Sequence, residues 1–289
     1  MRLGLMAMAE TDPAEIAALA RQAEDSGFDY FACGEHLFFH GPTSNAFITL
    51  AAAAGATERI GLLSALTILP VYPAVLVAKQ AATLDRVSAG RFNLGVGVGG
   101  EYPPEFEAAG VEVRDRGART DETLEIVTRL FAGETLSYQG KFTSVPGLAL
   151  DPAPTRPPSI WVGGRKPAAM RRAGRFADVW MPYMYTPEKL ASSLAQVRAI
   201  AEEHHRKSPE GAIFVWGAVD EDGEKARQTA IEVVSRIYQQ DFTPLADKYL
   251  VAGTPEQVST RLREFADAGA TTAIFGNVTN DITSLADCI

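Results

Sequence analysis

The sequence predicts an α/β protein: a closed (β/α)8 barrel of the TIM type, with insertions after the fourth strand and before the fifth. Three observations predict it. Over 289 residues, short apolar runs of strand length alternate eight times with longer amphipathic runs of helix length. Helices hand over to strands through a recurring small-residue and glycine step, at Ser26-Gly27-Phe28, Ala89-Gly90-Arg91, Ala173-Gly174-Arg175 and Ala268-Gly269-Ala270. The stretch Ile60 to Glu101 reads as one complete strand–helix–strand unit. Such alternation demands a parallel sheet, and eight units close into a barrel whose active site lies at the strands' C-terminal ends. A doubly wound open sheet is the competing arrangement, and the chain reads as one domain, 1–289.

The elements follow in order. Strand one is Arg2 to Met8. Asp12-Pro13-Ala14-Glu15 then offers a cap, a proline at the first helical position and a capping-box carboxylate, opening a helix to Ser26. Strand two, Phe28 to Cys33, ends in Gly34-Glu35-His36, and helix two is Asn45 to Ala56. Strand three is Ile60 to Leu69, helix three Pro73 to Ser88, and strand four Arg91 to Glu101. A charged, proline-containing stretch leads to helix four, Arg119 to Ala132, with Leu124, Val127, Leu130 and Phe131 on one stripe. Leu136 to Phe142 predicts a small hairpin, and Pro152, Pro154, Pro157 and Pro158 an extended lead-in. Strand five is Ile160 to Val162, with its helix running to Phe176. Strand six is Asp178 to Pro182, with a Thr186-Pro187-Glu188 cap opening a helix to His204. Strand seven is Ile213 to Val219, followed by a helix from Glu224 to Tyr238. Thr254-Pro255-Glu256-Gln257 opens the last helix, and strand eight is Thr272 to Phe275.

Strand four carries glycine at every other position. Period-two alternation puts Gly95, Gly97 and Gly99 on one face, predicted to point into the barrel, and Leu94, Val96 and Val98 on the other. Glycine weakens a strand, so this face predicts close approach by a ligand or by another part of the chain. Gly95-Val96-Gly97-Val98-Gly99-Gly100 also matches the dinucleotide fingerprint formally. That reading is set aside because Glu101-Tyr102-Pro103-Pro104 follows, where the fingerprint requires a helix.

Composition narrows the function. A net charge of -9 and pI near 5.1, without any Lys/Arg-rich run, argue against a nucleic-acid surface. No apolar run is long enough to cross a membrane, and the first strand lacks a signal-peptide pattern. Two cysteines, Cys33 and Cys288, fit a reducing compartment, so the cytoplasm is the expected location. His36 and His40 lie in a Gly/Pro loop and His204-His205 on a polar helix end, so no metal is expected.

Two places carry candidate chemistry. Glu35 and His36 directly follow strand two, where a barrel displays catalytic groups. A histidine there can move a proton near neutral pH with the carboxylate tuning it, although a polar loop end explains the pair as well. The neighbouring Phe38 and Phe39 suggest a pocket wall. Gly163-Gly164-Arg165 at a helix entrance suits an anion, through close backbone N–H groups and the guanidinium, and also suits a plain connection. No Walker motif, nucleophile elbow or Cys-x-x-Cys occurs. A phosphate-ligand isomerase or aldolase would want a lysine at a strand end, and none of the eight strands ends in one.

The run Thr57 to Gly97, with its Leu84-Asp85-Arg86-Val87-Ser88-Ala89-Gly90-Arg91-Phe92 core, resembles the luciferase-like oxidoreductases. So do Glu105-Phe106, Arg116 to Glu122 and Trp161-Val162-Gly163-Gly164, and the likeness covers nearly the whole chain. The resemblance implies a single (β/α)8 barrel using the deazaflavin F420 or FMN, often as a homodimer. It implies a tricyclic ring at the barrel mouth against strands three and four, with a non-proline cis peptide near Leu63-Ser64-Ala65. It further implies ring contacts from Gly97, Gly99, Gly100 and Glu101, a phosphate on Gly163, Gly164 and Arg165, and acid/base roles at Glu35 and His36. Phe38, Phe39, Tyr102 and Tyr183 would line the site of a small organic substrate. The F420 reductases carry aspartate where this chain has Glu35, whereas the Arg-Gly-x-Arg-x-Asp-Glu run leans toward that branch. The implied function is hydride transfer with F420. An FMN-dependent monooxygenase and a non-catalytic flavin-binding protein are the alternatives.

Overall fold

A computed structural model describes residues 1–8, 11–279, 282–286 and 288. In chain order the elements are β1 (Arg2–Ala7), α1 (Ile16–Asp25), β2 (Tyr30–Cys33), α2 (Ala46–Ala56), β3 (Gly61–Ser64), β4 (Thr67–Ile68), α3 (Ala74–Val87) and β5 (Phe92–Gly97). Then come α4 (Pro103–Ala108), α5 (Arg116–Phe131), β6 (Leu136–Gln139), β7 (Ser144–Leu148), β8 (Ser159–Gly163), α6 (Pro167–Phe176), β9 (Val179–Met181) and α7 (Pro187–Glu203). The chain finishes with β10 (Glu210–Val219), α8 (Gly223–Tyr238), α9 (Ala246–Tyr249), β11 (Leu250–Gly253), α10 (Pro255–Asp267), β12 (Ala270–Asn277) and α11 (Thr283–Ala286).

Strands β1, β2, β3, β5, β8, β9, β10 and β12 pair in that order, all in parallel, and β12 returns to β1, closing the predicted barrel. The third strand is not continuous. It breaks at a cis Ala65–Leu66 peptide, after which β4 rejoins β5. Four other expectations need correction. β11 joins the sheet outside the barrel circle, paired to β10, from what reads as a connector. The hairpin is longer than predicted, β6 pairing β7 as far as Leu148. Asp12 does not cap α1; its carboxylate bonds the Ala14 N–H in a preceding turn, and the helix begins at Ile16. A six-residue helix, α4, does follow the glycine run, so the reason given against the dinucleotide reading fails while the closed barrel still excludes it. The caps at Thr186 and Thr254 form as predicted, the latter as a full capping box.

One large apolar core fills the space between strands and helices, and Phe92, Leu94 and Val96 belong to it. A smaller cluster fills the barrel itself, with Leu63, Trp161, Met181 and Ile274 buried and Leu66 packed against them. Gly95 and Gly97 therefore face inward, as alternation predicts. A Cβ on Gly95 would fall 2.0 Å from the Ser64 carbonyl oxygen and 3.0 Å from Leu66, and one on Gly163 would fall 2.1 Å from Leu66. The bulky group against the glycine face is thus the side chain of Leu66. Gly99 departs from the pattern: the strand ends at Gly97, and at φ +56° a Cβ on Gly99 would meet Ile68 and Phe106.

At the opposite end of β5, Arg91 spends its guanidinium on the fold. It donates to the carbonyls of Ser88, Ile60, Ala54 and Thr57 and to the Thr57 hydroxyl, tying the ends of α2 and α3 to the start of β3.

Gly95→Ala is expected to destabilise the protein by about 1–3 kcal/mol through overpacking. Gly55→Ala, in α2 with nothing within 4 Å of the added carbon, is expected to be neutral or stabilising by up to about 1 kcal/mol. Chemical-denaturation midpoints of the two variants check the contrast.

Candidate active site

The loops at the C-terminal ends of the strands form the candidate site. The exit from β2 is narrow: a Cβ on Gly34 would lie 3.2 Å from the Ala65 carbonyl oxygen, and the Ala65 N–H donates to the Cys33 carbonyl at 2.7 Å. The chain then separates the two candidate residues. Glu35 turns into the protein, 8% exposed. Its carboxylate accepts from the Ile68 N–H at 3.0 Å, the Tyr72 hydroxyl at 2.9 Å, and the Asn45 amide and Ala46 N–H at 3.3 Å each. Burial raises its pKa, against the opposing pull of these donors. With every partner drawn from the fold, Glu35 clamps β4 to the start of α2, and the expected acid/base role does not fit its placement.

His36 faces a partner the sequence did not pair with it. Its Nδ1 lies 3.2 Å from both carboxylate oxygens of Glu105, which sits wholly buried on α4 and also accepts from the Leu37 N–H at 3.1 Å. A carboxylate accepts only, so Nδ1 carries the hydrogen and the neutral ring keeps its lone pair at Nε2. The ring stacks on Phe39 at 4.2 Å, and Phe39 and His40 meet the Tyr102 ring edge-on. This arrangement can take up or release a proton at Nε2 with imidazolium charge balanced by Glu105.

The other wall is built from Glu101, Arg165 and Tyr183. The Tyr183 hydroxyl donates to Glu101 at 2.6 Å, and the Arg165 guanidinium lies 4.7 Å from the Tyr183 ring centre. Burial, then the Glu101 charge, raises the Tyr183 pKa. Behind it Tyr238 is half-buried, its pKa pushed up to about 12 by desolvation, and accepts from the Trp216 indole. The Gly163-Gly164-Arg165 turn is held by the Trp180 indole on the Gly164 carbonyl and the Tyr185 hydroxyl on the Arg165 carbonyl. Gly164 takes φ +99°, which favours glycine. Lys166 provides no side-chain cap to α6; Pro167 has no N–H and the Ala169 N–H donates to the Lys166 carbonyl, which leaves the Ala168 N–H for an anion beside the exposed Arg165.

Several predicted contacts fall elsewhere. Leu63 and Ser64 are completely buried below the mouth, and the Ser64 hydroxyl is spent on the Gly95 N–H and carbonyl at 3.0 Å each. Ala65 and Leu66 provide the surface instead, half-buried on the inner wall. Phe38 stands 59% exposed and outside the ring cluster, which His40 joins in its place. Gly97, Gly99 and Gly100 do lie at the mouth, Gly100 with φ +103° and with the Arg116 side chain close against it. Glu105, Leu66 and Tyr72 are the residues sequence reasoning missed. Glu105 is 69 positions from His36, and its only signal was its place in the Glu105-Phe106 pair. Among the described residues no three His, Cys, Asp or Glu side chains gather as a metal site needs.

A family model described as luciferase-like monooxygenase matches residues 1–272. An uncharacterized protein of Mycobacterium tuberculosis is 38% identical over 186 residues, a match covering 64% of each chain, so this chain spans just under two thirds of that relative. The F420-dependent glucose-6-phosphate dehydrogenase of Nakamurella multipartita is 26% identical over 309 residues, covering 95% of this chain and 90% of that one. An F420-dependent secondary alcohol dehydrogenase, solved in complex with an F420–acetone adduct, superposes with a TM-score of 0.88 at 22% identity, covering 100% and 98%; the likeness is one of fold.

The raised pKa of Glu35 means its protonated form is favoured by folding. Stability is fully present below the ordinary glutamate range and falls as pH rises through the raised value. Unfolding midpoints of wild type and Glu35→Gln, measured from acid to neutral pH, are expected to change in the variant's favour as pH rises.

Proposed function

The chain belongs to the luciferase-like monooxygenase family, and on that basis we propose that it is an oxidoreductase transferring a hydride between the deazaflavin F420 and a small organic substrate at the barrel mouth. The observation that carries the reading is His36 held through Nδ1 by the buried Glu105 carboxylate, at the C-terminal end of β2. When bound, the deazaflavin supplies a carbon that accepts or gives up hydride. The residues fit such a group. Ala65 and Leu66 offer an apolar wall, and Gly97, Gly99 and Gly100 are half-buried at the mouth beside it. The Gly163-Gly164 turn, Arg165 and the uncapped start of α6 suit its phosphate.

The chain's own part in the chemistry is positional and acid–base. His36 would move the accompanying proton at Nε2, with Glu105 fixing the ring and balancing the imidazolium. Phe39, His40 and Tyr102 would hold the substrate's apolar part, and Tyr183, fixed by Glu101, would close the far side. Glu35 would position the β4 end of the wall without touching substrate.

The reading extends to a homodimer. Helix α2 contains no charged residue, yet Ile48 is 70% exposed, and Val75 and Leu76 of the adjacent α3 are 42% and 44% exposed. An apolar helix face of this kind calls for a cover, and a second copy of the same face is self-complementary.

Fluorescence titration of the purified protein with F420 and with FMN tests the cofactor. F420 binding is expected; binding of FMN alone moves the reading to the monooxygenase branch, and binding of neither overturns it. With F420 bound, His36→Ala and Glu105→Gln are each expected to lower kcat by about 10²- to 10⁴-fold without loss of fold, and Glu105→Gln to shift the pH–rate profile. Retained turnover in His36→Ala rejects its role. Light scattering is expected to give a dimer for the wild type and a monomer for Ile48→Glu/Leu76→Glu.

A further inference from the structure

The order of the strands sets β10 across the barrel from β3. In the closed circle β1-β2-β3-β5-β8-β9-β10-β12, β9 lies four places from β2, and β10 four places from β3. Tyr183, at the exit of β9, therefore stands opposite the exit of β2 that carries His36. The inward column of β10 stands opposite Ala65 and Leu66. Whatever lies on the free face of a cofactor ring set against Ala65 and Leu66 meets that column.

The column is aromatic. Ala212 and Phe214 belong to the cluster inside the barrel, and alternation makes Trp216 the next inward residue. Phe214 and Trp216 meet edge to face, with ring centres 4.9 Å apart. Their place is prepared on β12. Gly276 lies two residues beyond the inward Ile274, and a Cβ there would fall 2.4 Å from the Trp216 ring and 3.1 Å from that of Phe214. The Trp216 indole N–H donates to the Tyr238 hydroxyl at 3.2 Å, which fixes the ring. Trp161 and Trp180 are 1% and 0% exposed, whereas Trp216 stays half-buried, as do Phe214 and Tyr183. A fixed pair of rings with surface left in a concave mouth suits a cyclic apolar group.

The charges around this wall select against an ionised ligand. The exits of β9, β10 and β12, residues 181–185, 214–219 and 275–279, include no charged side chain. Glu101 and Arg165 reach the wall from other loops. Glu101, its carboxylate held in place by the Tyr183 hydroxyl, repels an anion. Arg165 stands over the Tyr183 ring, on the aromatic face that a cation would need, and it is already assigned to the cofactor phosphate. A ligand that is uncharged and carries a ring satisfies both.

We propose that the substrate is an uncharged, ring-bearing alcohol, or the ketone it yields, with its ring seated on Phe214 and Trp216 and its carbinol turned toward Nε2 of His36. Phe214 and Trp216 are then specificity-determining residues. The assignment rests on the redox reading. In the direction of oxidation the carbinol carbon gives its hydride to the deazaflavin, the hydroxyl proton passes to Nε2 of His36, and the C–O bond becomes a carbonyl.

The probe is 1-phenylethanol, with three relatives. Propan-2-ol lacks the ring, mandelate adds a carboxylate, and 1-phenylethylamine replaces the hydroxyl by an ammonium. The ¹⁵N-labelled full-length protein gives one indole N–H resonance for each of its three tryptophans, and Trp216→Phe identifies that of Trp216. Expected is a saturable movement of the Trp216 resonance with 1-phenylethanol while those of Trp161 and Trp180 stay in place, with each relative weaker by about tenfold or more. Phe214→Leu is expected to weaken 1-phenylethanol by about threefold to tenfold, and Glu101→Gln to bring mandelate closer to it by about threefold. No saturable movement, an equal response to any of the three relatives, or unchanged affinity in Phe214→Leu overturns the proposal. The F420 titration, run on the same protein, separates the two readings. F420 binding without a response at Trp216 overturns this proposal alone; a response at Trp216 without F420 binding overturns the redox reading and supports the ring site.

Discussion

The mouth of this barrel depends on one packing arrangement, the Leu66 side chain bedded between the bare backbones of Gly95, Gly97 and Gly163. Side chains on those strands would leave it no room, since a Cβ at Gly163 would fall 2.1 Å from its Cδ1. With Leu66 seated there, the chain of β3 can break at Ala65–Leu66 and resume as β4 on the same neighbour, β5. The break moves the inner wall by one residue. Ser64 turns to hold Gly95, and Ala65 and Leu66 become the half-buried surface.

A second layer of interactions holds that arrangement from behind. Glu35 accepts from Ile68 on β4, Tyr72 beyond it, and Asn45 and Ala46 at the start of α2, so one buried carboxylate joins three segments. Its neighbour His36 is thereby delivered to the opposite side, against Glu105 on α4. Two adjacent polar residues leave the same strand with different duties. The inward one supports the scaffold and the outward one is the residue to which we assign the proton transfer, on a loop that a rigid barrel positions.

The barrel was legible because its signals are local. Strand and helix lengths, glycine stops, and the Thr186 and Thr254 caps are written in consecutive residues, and the inward turn of Gly95 and Gly97 follows from alternation alone. What was illegible is long-range. Nothing in the spacing joins His36 to Glu105, 69 positions away, or marks Leu66 as the group that fills the glycine face. Local patterns also misled where backbone geometry changes. Gly99 continues the alternation in writing but lies past the strand's end with positive φ, and Phe38 looks like a pocket wall while His40 takes that place. Six residues of helix in α4, opening on two prolines, are too few to announce themselves.

The Arg91 guanidinium gives the family resemblance a different meaning. The Leu84 to Phe92 run that carries the most specific likeness lies at the closed base of the barrel, where Arg91 binds four carbonyls and a hydroxyl, and a lysine could not imitate that fork. None of those bonds touches the mouth. In this chain the run is therefore architectural: its arginine is spent on sealing the base of the barrel, at the far end from the candidate chemistry.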